Sequence, residues 1–275
     1  MPHTTASAYD VTSRATDAGR FPGRRHAEVV SSERLTQGVY RLTFRDDYIA
    51  RHAKPAQFVT LYSSNPLRLM PRPLGVCSTD GDEVSVIYAV VGKGTEEFSH
   101  LRAGDGIDVM GPLGKSYDLR AGAHYLLVGG GLGVPPLIYA AQHLSGRDDV
   151  SVTSVFGYRD ARFADPIVSP FVGRATSITN AEGNVITLLD RLEDSLDDDG
   201  LPPVILSCGP TPMMKAVAAW ARRHSIAAQF SLESRMGCGY GTCVVCTVDT
   251  AQGRLKVCSD GPVFTTEQLG WGIEA

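Results

Sequence analysis

The chain has 275 residues, of which 43% are hydrophobic and 20% charged, with 29 glycines and a formal net charge of −4. This length exceeds the usual domain of about 100 to 200 residues, so two or three modules are expected. The acidic balance and the absence of clustered cations argue against a general nucleic-acid binder, and no apolar run approaches the roughly 18 residues of a membrane-spanning helix.

Residues 1–24 are polar and lack the apolar centre of a secretory signal, so they read as a disordered tail. Residues 26–44 alternate as strand, turn and strand around Gly38, and further strand-like runs follow at 57–62, 75–78, 84–91 and 106–110. Each is bounded by Gly, Pro, Asp or Asn, and only 96–101 looks helical within the stretch. This spacing predicts an antiparallel β-barrel over 25–118.

From residue 119 the pattern changes. An apolar strand at 124–128, a glycine loop at 129–133, a helix at 135–144, a strand at 150–157, a strand at 204–207 and a helix at 212–224 predict a parallel-sheet α/β domain over 119–228. The acidic, proline-containing stretch 194–203 reads as a surface loop. From 229 to 275 cysteines, glycines and short alternating runs at 247–249 and 255–257 form a third, small module.

Four cysteines, Cys238, Cys243, Cys246 and Cys258, are spaced Cys-x4-Cys-x2-Cys-x11-Cys. The first three follow the plant-type ferredoxin spacing, in which four thiolates hold a [2Fe–2S] cluster. Gly237, Gly239 and Gly241 would let the loop turn its amides toward the sulfurs. A four-cysteine zinc site is the competing reading, but it normally uses two Cys-x2-4-Cys knuckles, and the second half offers one cysteine. Six cysteines used this way fit a reducing compartment, the cytoplasm.

The run Gly129-Gly130-Gly131-Leu132-Gly133-Val134-Pro135-Pro136 follows a strand and opens a helix, where a dinucleotide pyrophosphate can rest on amide groups. Val134 stands where a third motif glycine would be. Cys208-Gly209-Pro210 ends the strand 204–207, at an edge where α/β sheets bind ligands. Its sulfur could face a nicotinamide or be a small buried group. Arg159 could meet a ribose or phosphate, or solvent. Within the barrel, Arg72-Pro73-Leu74-Gly75 and Gly92-Lys93-Gly94-Thr95 carry an arginine and a glycine turn suited to a diphosphate.

Read in order, these motifs resemble the electron-transfer subunits of NAD-dependent, two-subunit dihydroorotate dehydrogenases, members of the ferredoxin–NADP reductase superfamily. The likeness runs from about residue 25 to 265 and is most specific at Ser231-Leu232-Glu233-Ser234-Arg235-Met236 and from Cys258 to Phe264. The resemblance implies FAD held by Arg72, Pro73, Leu74 and Gly75, by Ile87, Tyr88 and Ala89, and by Gly94 with Thr95. It implies NAD over Gly129, Gly130, Gly131 and Gly133, with Cys208 as the catalytic-site thiol beside the nicotinamide. Two positions depart from the family pattern: Gly75 stands for a serine and Ala89 for an arginine. Val76 and Cys77 would lie near the isoalloxazine.

The implied activity is transfer of electrons between an FMN-containing TIM-barrel subunit, which oxidises dihydroorotate in pyrimidine biosynthesis, and NAD⁺, in a heterotetramer. A reductase subunit for another acceptor, as in sulfide dehydrogenase, hydrogenase or glutamate-synthase-like systems, is the alternative. A redox sensor or zinc module is a third reading. The choice of NADH or NADPH stays open.

Overall fold

The protein is described by a computed structural model covering residues 23–196 and 200–272. The tail expected over 1–24 therefore lies outside the described residues up to residue 22, as do residues 197–199 of the acidic loop. Six strands, β1 (Arg25–Thr36), β2 (Val39–Arg45), β3 (Phe58–Tyr62), β4 (Arg72–Asp80), β5 (Glu83–Ala89) and β6 (Gly106–Leu113), close into a barrel in the order β1-β2-β5-β4-β3-β6. All pairs are antiparallel, and Arg25 opposite Val109 closes the ring. Alternation dictates what each strand buries: Val84, Val86 and Tyr88 of β5 pack inside, whereas Ile87 packs with Cys77 in a separate cluster.

Two short helices trim the barrel. The Asp46 carboxylate caps α1 (Asp47–His52) by accepting the Ile49 amide at 2.8 Å. The helix expected at 96–101 is α2 (Lys93–Phe98), and it starts three residues earlier. Thr95 Oγ1 accepts the amides of Val91 and Gly92, which fixes the start there.

The second layer comprises β7 (Ala123–Gly130), α3 (Val134–Leu144), β8 (Val150–Tyr158), α4 (Asp165–Val168), β9 (Arg174–Thr179), α5 (Val185–Leu192), β10 (Pro203–Cys208), α6 (Thr211–Arg223) and β11 (Ala227–Ser231). The sheet order is β14-β11-β10-β7-β8-β9, parallel except for β14 (Val263–Thr265), which returns from the cysteine module to pair antiparallel with β11. The expected boundary at 228/229 falls inside β11. A ribbon of β12 (Thr247–Thr250) and β13 (Gly253–Lys256) and the short α7 (Thr266–Leu269) complete the chain.

Helix α3 cements the layers. Nine of its eleven residues are buried, as expected for a helix covered on all sides. The Tyr139 hydroxyl donates to the Ala53 carbonyl at 2.9 Å, and Gln142 exchanges hydrogen bonds with the Thr79 backbone of β4. Pro136 thereby packs against Gly75, where a Cβ would meet its ring at 3.5 Å.

The glycine loop expected at 129–133 is partly strand. Gly129 and Gly130 pair with Phe156 and Gly157 of β8, and only Gly131–Gly133 form the turn. The reason is packing. A Cβ at 129 would lie 2.8 Å from Leu137, and one at 130 would lie 2.5 Å from the Met213 sulfur. These glycines admit helices onto the strand.

Candidate functional site: a cleft between barrel and sheet beside a cysteine loop

A cleft of about 630 Å³ opens between barrel and sheet. The segment from Arg72 to Gly75, the strand end from Ile87 to Ala89, Thr95 and Cys208 all line it. Gly94 lies beneath it. The Arg72 guanidinium fills the space a Cβ at 94 would take, with Nε 1.9 Å from that position. With alanine at 89, Arg72 is the cation that the barrel contributes to the cleft, and Arg235 lines it from the other side. Tyr88 also lines the cleft, and its buried hydroxyl has no partner in the protein among the described residues. The volume and the arginine beside a glycine turn fit a flavin nucleotide.

The expected nicotinamide contacts divide by role. Gly131 has φ +54 and open space where its Cβ would stand. It is the position at which a ligand could approach backbone. Gly133 faces the other way: a Cβ there would lie 2.3 Å from the Cys208 carbonyl oxygen and 2.4 Å from the Gly209 nitrogen. Glycine at 133 thus lets the turn after β7 touch the turn after β10, bringing both sets of ligands to one edge. Cys208 is buried, and desolvation and the Glu233 carboxylate push its thiol far up. Burial likewise pushes Cys77 up to about 12. Both are neutral thiols near pH 7, not nucleophiles.

Glu233 entered the sequence reading only as part of a motif. It follows β11 at the edge that holds Cys208 and lines the cleft, and desolvation against the protein wall raises its carboxyl pKa. The sequence carried no separate signal for it, because β11, whose end positions Glu233, was not legible as a strand.

The cysteine loop lies against the same wall. Met236 and Pro262, which flank the cysteines, line the cleft, and Gly239 sits against Thr60 and Leu113 of the barrel. None of the six cysteines forms a disulfide. Cys246 and Cys258 bring their sulfurs to 3.2 Å. The Cys243 amide donates to Cys238 Sγ at 3.4 Å, and the Gly241 amide to Cys258 Sγ at 3.2 Å. Burial opposes ionisation of Cys238, but amide donors from Cys243, Tyr240 and Thr242 outweigh it and hold the thiol at about 6. Paired soft sulfurs with amides aimed at them fit a [2Fe–2S] cluster.

At the far end of the sheet edge, Glu182 Oε2 accepts the Thr179 amide at 2.7 Å, the Thr179 hydroxyl at 2.9 Å and an Arg162 N–H. The Arg162 pair and the Thr179 donors hold the exposed carboxyl at about 2. Sequence reading had singled out Arg159, which is exposed at this edge.

A barrel with a flavin-sized cleft, a parallel sheet edge with a glycine turn and a thiolate-bearing loop between them define an oxidoreductase of the ferredoxin–NADP reductase fold. The model of the iron–sulfur cluster binding domain of dihydroorotate dehydrogenase B matches residues 233–270. Relatives described as the electron transfer subunit of dihydroorotate dehydrogenase B (NAD(+)) include one from Geobacillus thermodenitrificans and one from Listeria monocytogenes. The first is 37% identical, over 90% of this chain and 98% of its own. The second is 35% identical, over 88% and 97%. The chain belongs to this family of electron transfer subunits. A solved structure of an NADH-dependent reduced ferredoxin-NADP oxidoreductase is 28% identical and superposes with a TM-score of 0.78 over 89% of this chain and 90% of that one. Phthalate dioxygenase reductase, 19% identical, shares the fold with a TM-score of 0.56 over 71% of this chain and 63% of its own.

Proposed function

We propose that the chain carries electrons between the FMN-containing catalytic subunit of a dihydroorotate dehydrogenase and NAD⁺. In this reading FAD sits on 25–118, the coenzyme on 119–228 and a [2Fe–2S] cluster on 229–275. The observation that carries the reading is the shared wall: Met236 and Pro262 beside the cysteines line the cleft that also holds Arg72 and Cys208. FAD supplies the exchange between two-electron hydride chemistry and one-electron transfer, and the protein supplies orientation and exclusion of water.

Arg72 and the amides around Gly94 and Thr95 hold the flavin diphosphate. Gly131 opens the backbone to the coenzyme. Cys208 presents an uncharged thiol beside the nicotinamide, and Glu233 stands at the same edge. Cys238, Cys243, Cys246 and Cys258 ligate the cluster.

The exposed large apolar side chains support a partner at this end. Leu67, Leu69, Met70, Val91, Tyr240, Val244 and Val245 lie on loops flanking the cleft and the cysteines. Met70 approaches Gly237, since a Cβ there would lie 3.6 Å from its terminal methyl. Patches of this kind mark protein interfaces. Among the described residues no helix is long and apolar enough to cross a membrane, and six thiols free of disulfides suit the reducing cytoplasm. The test is reconstitution: with the catalytic subunit bound, dihydroorotate should reduce NAD⁺, and a complex that forms but yields no NADH overturns the assignment.

The sheet order also bears on coenzyme choice. With the nicotinamide at β10 and the diphosphate at β7, the adenosine half extends across β8 and β9 toward Glu182. β9 lies three strand spacings, about 14 Å, from β10. Glu182 Oε2 takes every hydrogen bond found for this carboxylate, which leaves Oε1 to accept from a ribose hydroxyl. The charge repels a 2′-phosphate and neutralises Arg162. Glu182→Gln should lower the NADH-over-NADPH ratio of kcat/KM at least about tenfold. An unchanged ratio in ferricyanide reduction would remove Glu182 from coenzyme selection.

A further inference from the structure

Lys256 ends β13, two residues before Cys258, and its side chain is half-buried. Its ammonium donates to the Gly241 carbonyl at 2.6 Å. The amide of the same Gly241 donates to Cys258 Sγ at 3.2 Å. The residue bonded to the sulfur is therefore clamped from its other side by a cation.

The clamp is built on both sides. Gly241 holds φ +90, and a Cβ there would lie 3.0 Å from Ser259 Cβ, so the loop passes close over the turn that carries Cys258. Lys256 is itself anchored: its amide donates to Asp260 Oδ2 at 2.7 Å, and its carbonyl accepts from Ser259, Asp260 and Gly261. Among the described residues no carboxylate forms an ion pair with the Lys256 ammonium, which is held instead by the Gly241 carbonyl. A partly buried cation is stabilised by negative charge placed close to it. A cluster with four thiolate ligands carries net negative charge, which grows on one-electron reduction.

We propose that Lys256 is a positioning residue for electron transfer: it holds the Gly241 amide on Cys258 and its charge favours the reduced cluster. This rests on the [2Fe–2S] reading above. Amide donors to the sulfurs and nearby charge are the levers that set such potentials. A cation lowers the energy of the more negative state, so removing it shifts the midpoint downward.

The experiment is a redox titration of the complete complex, followed by electron paramagnetic resonance and iron content, for wild type, Lys256→Met and Lys256→Arg. Lys256→Met should retain iron and show a midpoint lower by a tenfold drop in the reduction equilibrium, about 59 mV for one electron. Lys256→Arg should stay within threefold of wild type. If Lys256→Met loses iron while Lys256→Arg keeps it at the wild-type potential, the clamp is likewise supported. A fully loaded Lys256→Met at the wild-type potential overturns the proposal. So does loss of iron in both variants, which marks a purely structural role. A wild-type complex without a cluster signal overturns the cluster reading itself, a result distinct from any of these.

Discussion

Replacing Cys246 with serine should abolish the cluster signal and cut NAD⁺-linked dihydroorotate oxidation at least a hundredfold, while flavin content and NADH-dependent ferricyanide reduction stay within twofold of wild type. The loss corresponds to at least about 2.7 kcal/mol of barrier. Cys246 is 1% exposed, and its sulfur lies 3.2 Å from that of Cys258. It packs with Val257, Cys258 and Phe264 in the large apolar cluster. A serine oxygen there is a poor ligand for iron and is cut off from water. The cleft wall built from Arg72 to Gly75 and Ile87 to Ala89 does not include residue 246. Ferricyanide can take electrons from the flavin directly, so the two assays separate the cluster from the cleft. Full turnover with the partner in a cluster-free variant would mean that electrons bypass the cysteines.

Gly133→Ala is expected to raise the KM for NADH tenfold or more and to lower Tm by several degrees. The added methyl would stand 2.3 Å from the Cys208 carbonyl oxygen and 2.4 Å from both the Cys208 carbonyl carbon and the Gly209 nitrogen. All three are backbone atoms, so no side-chain rotation relieves the overlap. Gly209 is itself pinned at φ +152, where a Cβ would meet the Gly130 nitrogen at 3.0 Å. The turn after β10 must therefore shift, carrying Cys208 away from the cleft. Overpacking of this kind costs about 1 to 3 kcal/mol, and in a chain of this size each kcal/mol shifts Tm by about 2 to 4 °C. Calorimetry and a substrate titration check both halves, and wild-type values in each would show that the two turns are not rigidly joined. Gly94 offers a contrast, because there the colliding group is the flexible Arg72 guanidinium rather than backbone.

Much of the site was legible because it is local in sequence. The four-cysteine spacing needs only a short loop and one return strand to bring its sulfurs together, and the observed Cys246–Cys258 approach follows from it. The segment from Arg72 to Gly75 and the Gly94-Thr95 turn were legible for the same reason. Barrel strands announced themselves through alternation, although α1, α4, β9, α5, β11, β14 and α7 were missed. The strand β11 hides because only its outer neighbours reveal it: it is covered by β10 on one side and by the returning β14 on the other.

The roles within the glycine run could not be read in this way. Four glycines in a row of motif positions look alike as text, yet Gly129 and Gly130 make room for helices, Gly131 faces open space and Gly133 touches the Cys208 turn. Which is which depends on Leu137, Met213 and Cys208, the last 75 residues downstream of Gly133. Glu182 and Lys256 carried no sequence signal at all. Their significance lies in a Thr179–Arg162 network and in a carbonyl of the cysteine loop.

Spacing along the chain thus pointed to the chemistry: thiols spaced as for a cluster, an arginine and glycine turn suited to a diphosphate, and a strand-to-helix turn suited to a coenzyme. Such groups act over a few residues, and backbone geometry limits their arrangement. Only the tertiary structure decided how Arg72 to Gly75, Cys208 and the residues flanking the cysteines come to line one cleft. That depends on α3 wedged between barrel and sheet through Tyr139 and Gln142, and on β14 tying the cysteine module to β11. Those contacts join residues far apart in sequence, through packing and hydrogen bonds that no local pattern encodes.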